Sequence, residues 1–462
     1  MRPIMQPTLS AKFLNILVAT TGWLMASPAF ASDTLYVWAG DAAHKAPDFF
    51  AVVDFDRHSP NYGKIATIAP LPTTLPSAIP LSNGAIGNEP HHVGVSADGK
   101  TLAGGGLLSI LRGQNGAFFF DISVPRAPVF LKANTLASVT SASITDEFEP
   151  KPEGGFFTTF MGGANGAAPG RVVEYDANSD VVAAWPATPP ADGFDPHGIV
   201  IDEAHNLLLT SDFICPLHTL NLGAVAGVVQ PRGSVRVWDL AQRTITKTIT
   251  VGDPANPPGT INVEFIPHDA RQRAFVTGVL DGKLYLVDPH AGTAQPVFDF
   301  NPFALPEAPA PWPHLFRVNK AGTRLALTLN YQGLDGKVVW LDIQNPERPR
   351  LLNFVELGPK SGPHYLTFSP TEDRIVVSDY FLVEDLIPSG VVGIDGDHKI
   401  HVLDVVDDRL VENTTFNLDF NRDIATGPAR PHGLAIVSRD RHDGDRDAEH
   451  AGGARFDEGD RR

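Results

Sequence analysis

Short apolar runs rich in Val, Ile, Leu and Phe recur along the chain, each closed by a polar or glycine-containing turn and followed by a second apolar run. Five of these units start with Pro-His: Pro90-His91 (PHHVGVSADGKTLAGGG), Pro196-His197 (PHGIVIDEAHNLLLTSD), Pro313-His314 (PHLFRVNKAGTRLALTLN), Pro363-His364 (PHYLTFSPTEDRIVVSD) and Pro431-His432 (PHGLAIVS). Eight residues past the histidine, the first four reach Gly99, His205, Gly322 and Glu372, so the turn comes at a constant count. Two more units fit the frame. TDEFEPKPEGGFFTTFMGG, aligned on its turn residue Gly154, sets Asp146 at the histidine's place; INVEFIPHDARQRAFVTG, aligned on its second strand, sets Glu264 there. In that last unit Pro267-His268 falls in the turn unless a gap shifts it back.

A second repeat gives the same count. Apolar strands ending in aspartate recur at Asp54, Asp121, Asp176, Asp239, Asp288, Asp342 and Asp404, each followed by a turn and one more strand. Four short strands repeated seven times predict an all-β chain folded as a seven-bladed β-propeller. TLYVWAG (34–40) and FFAVVDF (49–55) lack an inner partner before them, and PHGLAIVS (431–438) lacks outer partners after it. Pairing the C-terminal strand with the N-terminal ones completes the ring and hides two open edges.

The propeller is expected over 32–438. Before it, Arg2 and Lys12 precede the apolar run FLNILVATTGWLMA, and Ala29 and Ala31 give a small-x-small pattern, so 1–31 reads as a cleavable signal peptide and the protein as periplasmic or secreted. The run is shorter than the roughly 20 apolar residues of a membrane span, and no later segment qualifies. The stretch 439–462 is highly charged and reads as a disordered tail. A formal charge of −17 excludes a basic nucleic-acid-binding face. The single cysteine, Cys215, rules out internal disulfides; burial is its default reading, and the channel mouth the functional one.

In a propeller the starts of equivalent inner strands form a ring at one end of the central channel. That ring contains His91, His197, His314, His364 and His432, completed by Asp146 and Glu264, with His92 and His268 beside it. Converging neutral imidazoles suit Cu, Zn, Fe or Ni better than Mg or Ca. A single Pro-His would be read as structural, its imidazole bonded to a backbone carbonyl; five in register favour a metal. Spacing does not choose among the ring members, since a metal takes about four to six ligands. Gly-x-Ser-x-Gly, His-Glu-x-x-His, paired Cys-x-x-Cys and P-loop motifs are absent, and Asp395-Gly396-Asp397 reads as a turn rather than a calcium loop.

At VVDFDRHSPNYGKIATIAPLP leading to Glu89-Pro90-His91-His92, at HNLLLTSDF, IPHDARQRAFVTG and NPERPRLL, and at the ending GPARPHGLAI, the chain resembles the selenium-binding protein family, which includes methanethiol oxidases. The resemblance implies a seven-bladed propeller and, for exported bacterial members, a copper enzyme that converts methanethiol, O2 and water to formaldehyde, hydrogen sulfide and hydrogen peroxide. It matches the family's His-His pair to His91-His92, a further histidine to His268 and the closing-strand histidine to His432. Where family members carry a cysteine linked to selenium binding after His-His, this chain has Val93-Gly94-Val95-Ser96. On this reading the partners are a small thiol and O2, with Asp146, Glu264 and Cys215 as candidate catalytic groups and oligomeric state left open. Two alternatives stand beside it: a non-catalytic metal-binding or interaction propeller, and a lactonase-like hydrolase whose divalent ion polarises a carbonyl.

Overall fold

A computed structural model describes residues 32–76, 83–109, 115–135, 142–219, 230–305, 310–331, 335–379 and 396–439. The expected signal peptide and all of the expected charged tail except Arg439 lie outside them. No described helix is long and apolar enough to cross a membrane.

The described residues from Ser32 to Arg439 form seven antiparallel sheets, six of four strands and one of five. Each inner strand packs beside that of the next sheet, and the seventh returns to the first, so the ring is a closed seven-bladed propeller. Blade 1 combines Ala429–Arg439 as its inner strand with Ser32–Asp41, Phe49–Asp54 and Ile65–Pro70. Inner strands of blades 2 to 7 are Pro90–Val95, Ser143–Pro150, Pro196–Asp202, Thr260–Phe265, Trp312–Val318 and Leu366–Phe368.

The closing pair runs in register from Thr34 opposite Val437 to Val37 opposite Leu434. Arg374 of blade 7 fastens the same seam: its guanidinium donates to Asp33 Oδ2 at 2.6 Å and to the Phe55 carbonyl at 2.8 Å, and lies 4.1 Å over the Phe55 ring. Between blades 1 and 2, Trp38 stacks on Phe50 at 4.5 Å and donates its indole N–H to the Gly105 carbonyl at 2.8 Å. Gly104 makes that approach feasible, because a Cβ there would stand 3.0 Å from the indole.

The repeating aspartates have a local explanation. In six blades the carboxylate at the end of the third strand accepts a backbone N–H two or three residues on, as from Ser123 to Asp121 at 2.8 Å and from Gln344 to Asp342 at 3.0 Å, forming an Asx-type turn. The turn after the inner strand needs a left-handed residue, supplied by Gly99, Gly322 and Glu372. In blade 4 it is Asn206, one place past the counted His205, because a 3₁₀ turn at Glu203–His205 comes between the strands.

Arg374 is buried and paired, so Arg374→Met should lower unfolding free energy by about 3 kcal/mol or more. Arg422→Met, at a solvent-exposed pair with Asp423, should leave stability almost unchanged. Chemical denaturation of the two variants checks the contrast; equal losses would remove the seam from its assigned role.

Candidate metal centre

An undistorted strand sends successive side chains to opposite faces. Here that alternation is interrupted where the histidines stand. In blade 2 Pro90 faces Gly106 and Val93 faces Gly104, three steps on one strand against two on its neighbour. The same shift occurs between Thr145 and Phe148, Pro196 and Ile199, Thr260 and Val263, Pro313 and Phe316, and Pro431 and Leu434. A bulge of this kind holds two consecutive residues opposite one and re-aims their side chains. His91 and His92 accordingly stack, ring centroids 4.1 Å apart and planes 7° apart.

This register fixes the ring members. His91, Asp146, His197, His314, His364 and His432 occupy the first bulge position of blades 2, 3, 4, 6, 7 and 1. Blade 5 has Ile261 there; Glu264 lies three residues further along its strand, so the alignment that set Glu264 in the ring is corrected. Aligning on the second strand missed that this turn is two residues longer: Thr277 stands opposite the bulge sixteen residues after Ile261, against fourteen from His197 to Ser211. His268 sits in the following turn with φ of 64° and joins neither group of candidate ligands. Cys215 is buried just past Leu207–Ile214 and also lies outside both groups.

Two overlapping quartets have ligand atoms all within 4.8 Å of one another: His91, His92, His364 and His432, and His91, His92, Asp146 and His197. His92 Nε2 is 3.1 Å from His364 Nε2, and His314 Nδ1 is 2.8 Å from His364 Nδ1. His91 and His432 ring centroids are 4.2 Å apart. On the other side Asp146 Oδ1 stands 2.8 Å from His92 Nδ1 and 3.7 Å from His91 Nε2, and its Oδ2 is 3.1 Å from His197 Nε2. All these side chains are buried.

Burial, reinforced by neighbouring imidazoles, holds His91, His364 and His432 well below the ordinary histidine pKa. The same causes bring His314 to about 3, and burial outweighs Asp146 to leave His197 at about 4. His92 is the exception: burial opposes its charge, yet Asp146 and Glu147 outweigh burial and raise it to about 9. Glu147, lowered to about 2 by His92 and Arg317 against the effect of burial, is the partner that sequence reasoning missed. Its place beside Asp146 in the bulge was the available signal.

The donor set fits a transition metal on an observation of the fold itself. His91 Nδ1 is buried without a hydrogen-bond partner, and the two buried Asp146 oxygens face only imidazole nitrogens, those of His91, His92 and His197. Buried polar atoms left in that state are costly, and a cation among them would satisfy several at once.

A hydroxyl set supports the ring from outside. Ser211 Oγ donates to the Ile261 carbonyl at 3.0 Å, Thr277 Oγ1 to His314 O at 2.9 Å, Thr328 Oγ1 to His364 O at 3.0 Å and Ser378 Oγ to His432 O at 2.6 Å. Thr159 Oγ1 does the same for His197 O. Blades 3 to 7 thus each pin the bulge of the next; blades 1 and 2 have Trp38 and Gly105 at that position. In sequence these hydroxyls appear as a Ser or Thr fourteen residues after the histidine: His197 to Ser211, His314 to Thr328, His364 to Ser378. Gly433, the second bulge position of blade 1, keeps clear of this seam, since a Cβ there would meet the His91 carbonyl at 2.4 Å.

Beyond the ring the channel holds a cavity of about 420 Å³, lined by apolar Val93, Ile199 and Leu434 and by Glu147, Glu264, Arg317 and Tyr365. Arg317 donates to Glu264 Oε1 at 2.6 Å and stands 3.8 Å from Glu147. Glu264 therefore belongs to the channel wall below the ring.

The model of the family described as 56kDa selenium binding protein matches residues 21–367. A hypothetical selenium-binding protein from Sulfolobus tokodaii superposes with a TM-score of 0.71 at 19% identity, over 89% of this chain and 94% of that one. The periplasmic gluconolactonase of Pseudomonas aeruginosa gives 0.60 at 12% identity over 88% and 99%, and a putative 6-phosphogluconolactonase from Bacteroides fragilis 0.55 at 11% over 89% and 99%. At these identities the likeness is one of fold. No curated protein matches the chain by sequence.

Ser378→Ala should lower stability by about 1 kcal/mol while weakening transition-metal binding about tenfold, as loss of an outer support does. Calorimetric titration beside denaturation separates the two; an unchanged metal affinity would make the hydroxyl purely structural.

Proposed function

The chain belongs to the 56kDa selenium binding protein family, and from that premise we propose that it is an exported, copper-dependent oxidoreductase acting on a small thiol such as methanethiol. The observation that carries the reading is the quartet His91, His92, His364 and His432, four buried imidazoles with ligand atoms within 4.8 Å. These residues would hold the copper, with Asp146 and His197 on its carboxylate side. A bound copper ion would supply a one-electron couple and a Lewis acid for a thiolate.

The protein's own groups would handle the proton and the substrate. Asp146, whose two buried oxygens face the imidazoles of His91, His92 and His197, is the candidate base for the thiol proton. Glu147 touches His92 and also lines the cavity, so it sets a second carboxylate between the ring and the cavity, with Glu264 beyond Arg317. The apolar walls formed by Val93, Ile199 and Leu434 suit a methyl group and exclude bulk water from the ring. The balanced reaction is methanethiol, O2 and water giving formaldehyde, hydrogen sulfide and hydrogen peroxide. Residues 1–31 support export by their sequence pattern, with Lys12 before the apolar run and Ala29 and Ala31 at its end.

The gluconolactonase fold neighbours raise lactone hydrolysis as the second reading. An imidazole-rich ring weighs against it, since ions that polarise a carbonyl in such channels favour oxygen donors.

Copper-loaded protein should release hydrogen peroxide when given methanethiol in air, and His364→Ala with His432→Ala should abolish both copper retention and peroxide. Copper bound with no thiol-dependent O2 uptake would leave a non-catalytic metal-binding propeller, and lactone turnover without O2 uptake would establish the hydrolase instead.

A further inference from the structure

Blade 7 contains a second group of ligand-type side chains, separate from the ring quartets. Asp379 follows its second strand, Arg374–Ser378; His401 lies on its third, Lys399–Val406; Asp397 precedes that third strand. Their ligand atoms all fall within 4.8 Å of one another. Asp379 is fully buried and His401 nearly so.

Blade 4 offers an internal comparison. There Asp212 and Arg236 occupy the places of Asp379 and His401: Arg236 pairs across from Thr210 as His401 pairs across from Val377, and each aspartate lies two residues past that strand partner. Arg236 Nε donates to Asp212 Oδ2 at 2.6 Å, and Ser234 Oγ donates to the same oxygen at 2.7 Å. That carboxylate is satisfied by protein donors. In blade 7 Asp379 Oδ2 is ion-paired with His401 Nε2, while Asp379 Oδ1, also buried, has no hydrogen-bond partner.

The far side of the imidazole explains which nitrogen is available. Glu412 Oε1 stands 3.3 Å from His401 Nδ1, placed to accept its N–H, and this orients Nε2 toward Asp379 and Asp397. A carboxylate behind an imidazole is the usual support of a metal-binding histidine. Asp397 is also held by Lys399, whose Nζ contacts its Oδ2 and whose backbone N–H donates to Oδ1 at 3.0 Å. Three carboxylates, Asp379, Asp397 and Glu412, therefore surround His401 and the Lys399 ammonium, and a divalent ion bound at His401 Nε2 would take the place of the imidazole proton.

We propose that Asp379, His401 and Asp397 form a second metal site, for a divalent cation that accepts mixed carboxylate and imidazole donors, such as Zn²⁺ or Mn²⁺, with Glu412 as the residue that orients His401. It is independent of the ring: it uses none of the ring histidines, and its donors favour oxygen where the ring favours nitrogen.

The test counts zinc. Full-length protein is incubated with Zn²⁺ alone, freed of excess by gel filtration and analysed for metal, alongside His401→Arg, which rebuilds the Asp212–Arg236 arrangement of blade 4, and Asp379→Asn. Wild type should retain one more equivalent than either folded variant. In a His364→Ala, His432→Ala background the same one-equivalent difference should persist, which separates this site from the ring. Equal zinc in wild type and both variants would overturn the proposal and leave Asp379 and His401 as an ion pair. Loss of the difference in the ring-deleted background would overturn its independence.

Discussion

The structure depends on a one-residue bulge at the start of the inner strands. Without it a strand starting Pro-His-His would send its two imidazoles to opposite faces, into the packing against two different neighbours. With it, His91 and His92 stack on one another and both reach the ring, and Asp146 and Glu147 both reach His92. Proline before the bulge removes a backbone donor where the ladder is already interrupted. The hydroxyls of Thr159, Ser211, Thr277, Thr328 and Ser378 then hold the carbonyls that the bulge turns away from its own sheet.

The ring is an expensive arrangement for a fold to keep. Six imidazoles and a carboxylate are withdrawn from water, several with unsatisfied nitrogens, and burial keeps most of the histidines neutral. Apolar residues would pack there at lower cost, as Ile261 does at the same position in blade 5. The surrounding fold compensates through closure: Ala429–Arg439 pairs along Ser32–Asp41, and Arg374 ties blade 7 to Asp33. A neutral, preformed nitrogen cluster has little protonation to undo on meeting a metal, apart from His92, which Asp146 and Glu147 hold as the cation.

Much of this was legible in the residues. Five Pro-His starts, two further units in the same frame and seven strand-ending aspartates gave the blade number, because each reports a repeated local requirement: the bulge in one case and, in six blades, the Asx turn in the other. Aligning on Gly154 placed Asp146 in the same bulge position as His91. Blade 5 was misread for a physical reason. It has no polar residue at the ring, so the alignment took the nearest carboxylate, and its turn is two residues longer than those of the histidine blades, which leaves Glu264 in the channel wall. His268 shares the Pro-His dipeptide but sits in a turn, where the same pair serves a reversal of the chain. Glu147 and the hydroxyls were missed because their partners lie in the next blade, a relation that only the closed ring reveals.

The central claim is that side chains distant in sequence converge on one metal-binding point inside the closed channel. Anomalous diffraction at the copper edge, from crystals of the copper-loaded full chain, tests it most directly. The account predicts a peak inside the ring, within coordination distance of nitrogens from at least three of His91, His92, His364 and His432. Copper found only at surface histidines, with the ring nitrogens bonded to water or to one another, would contradict it.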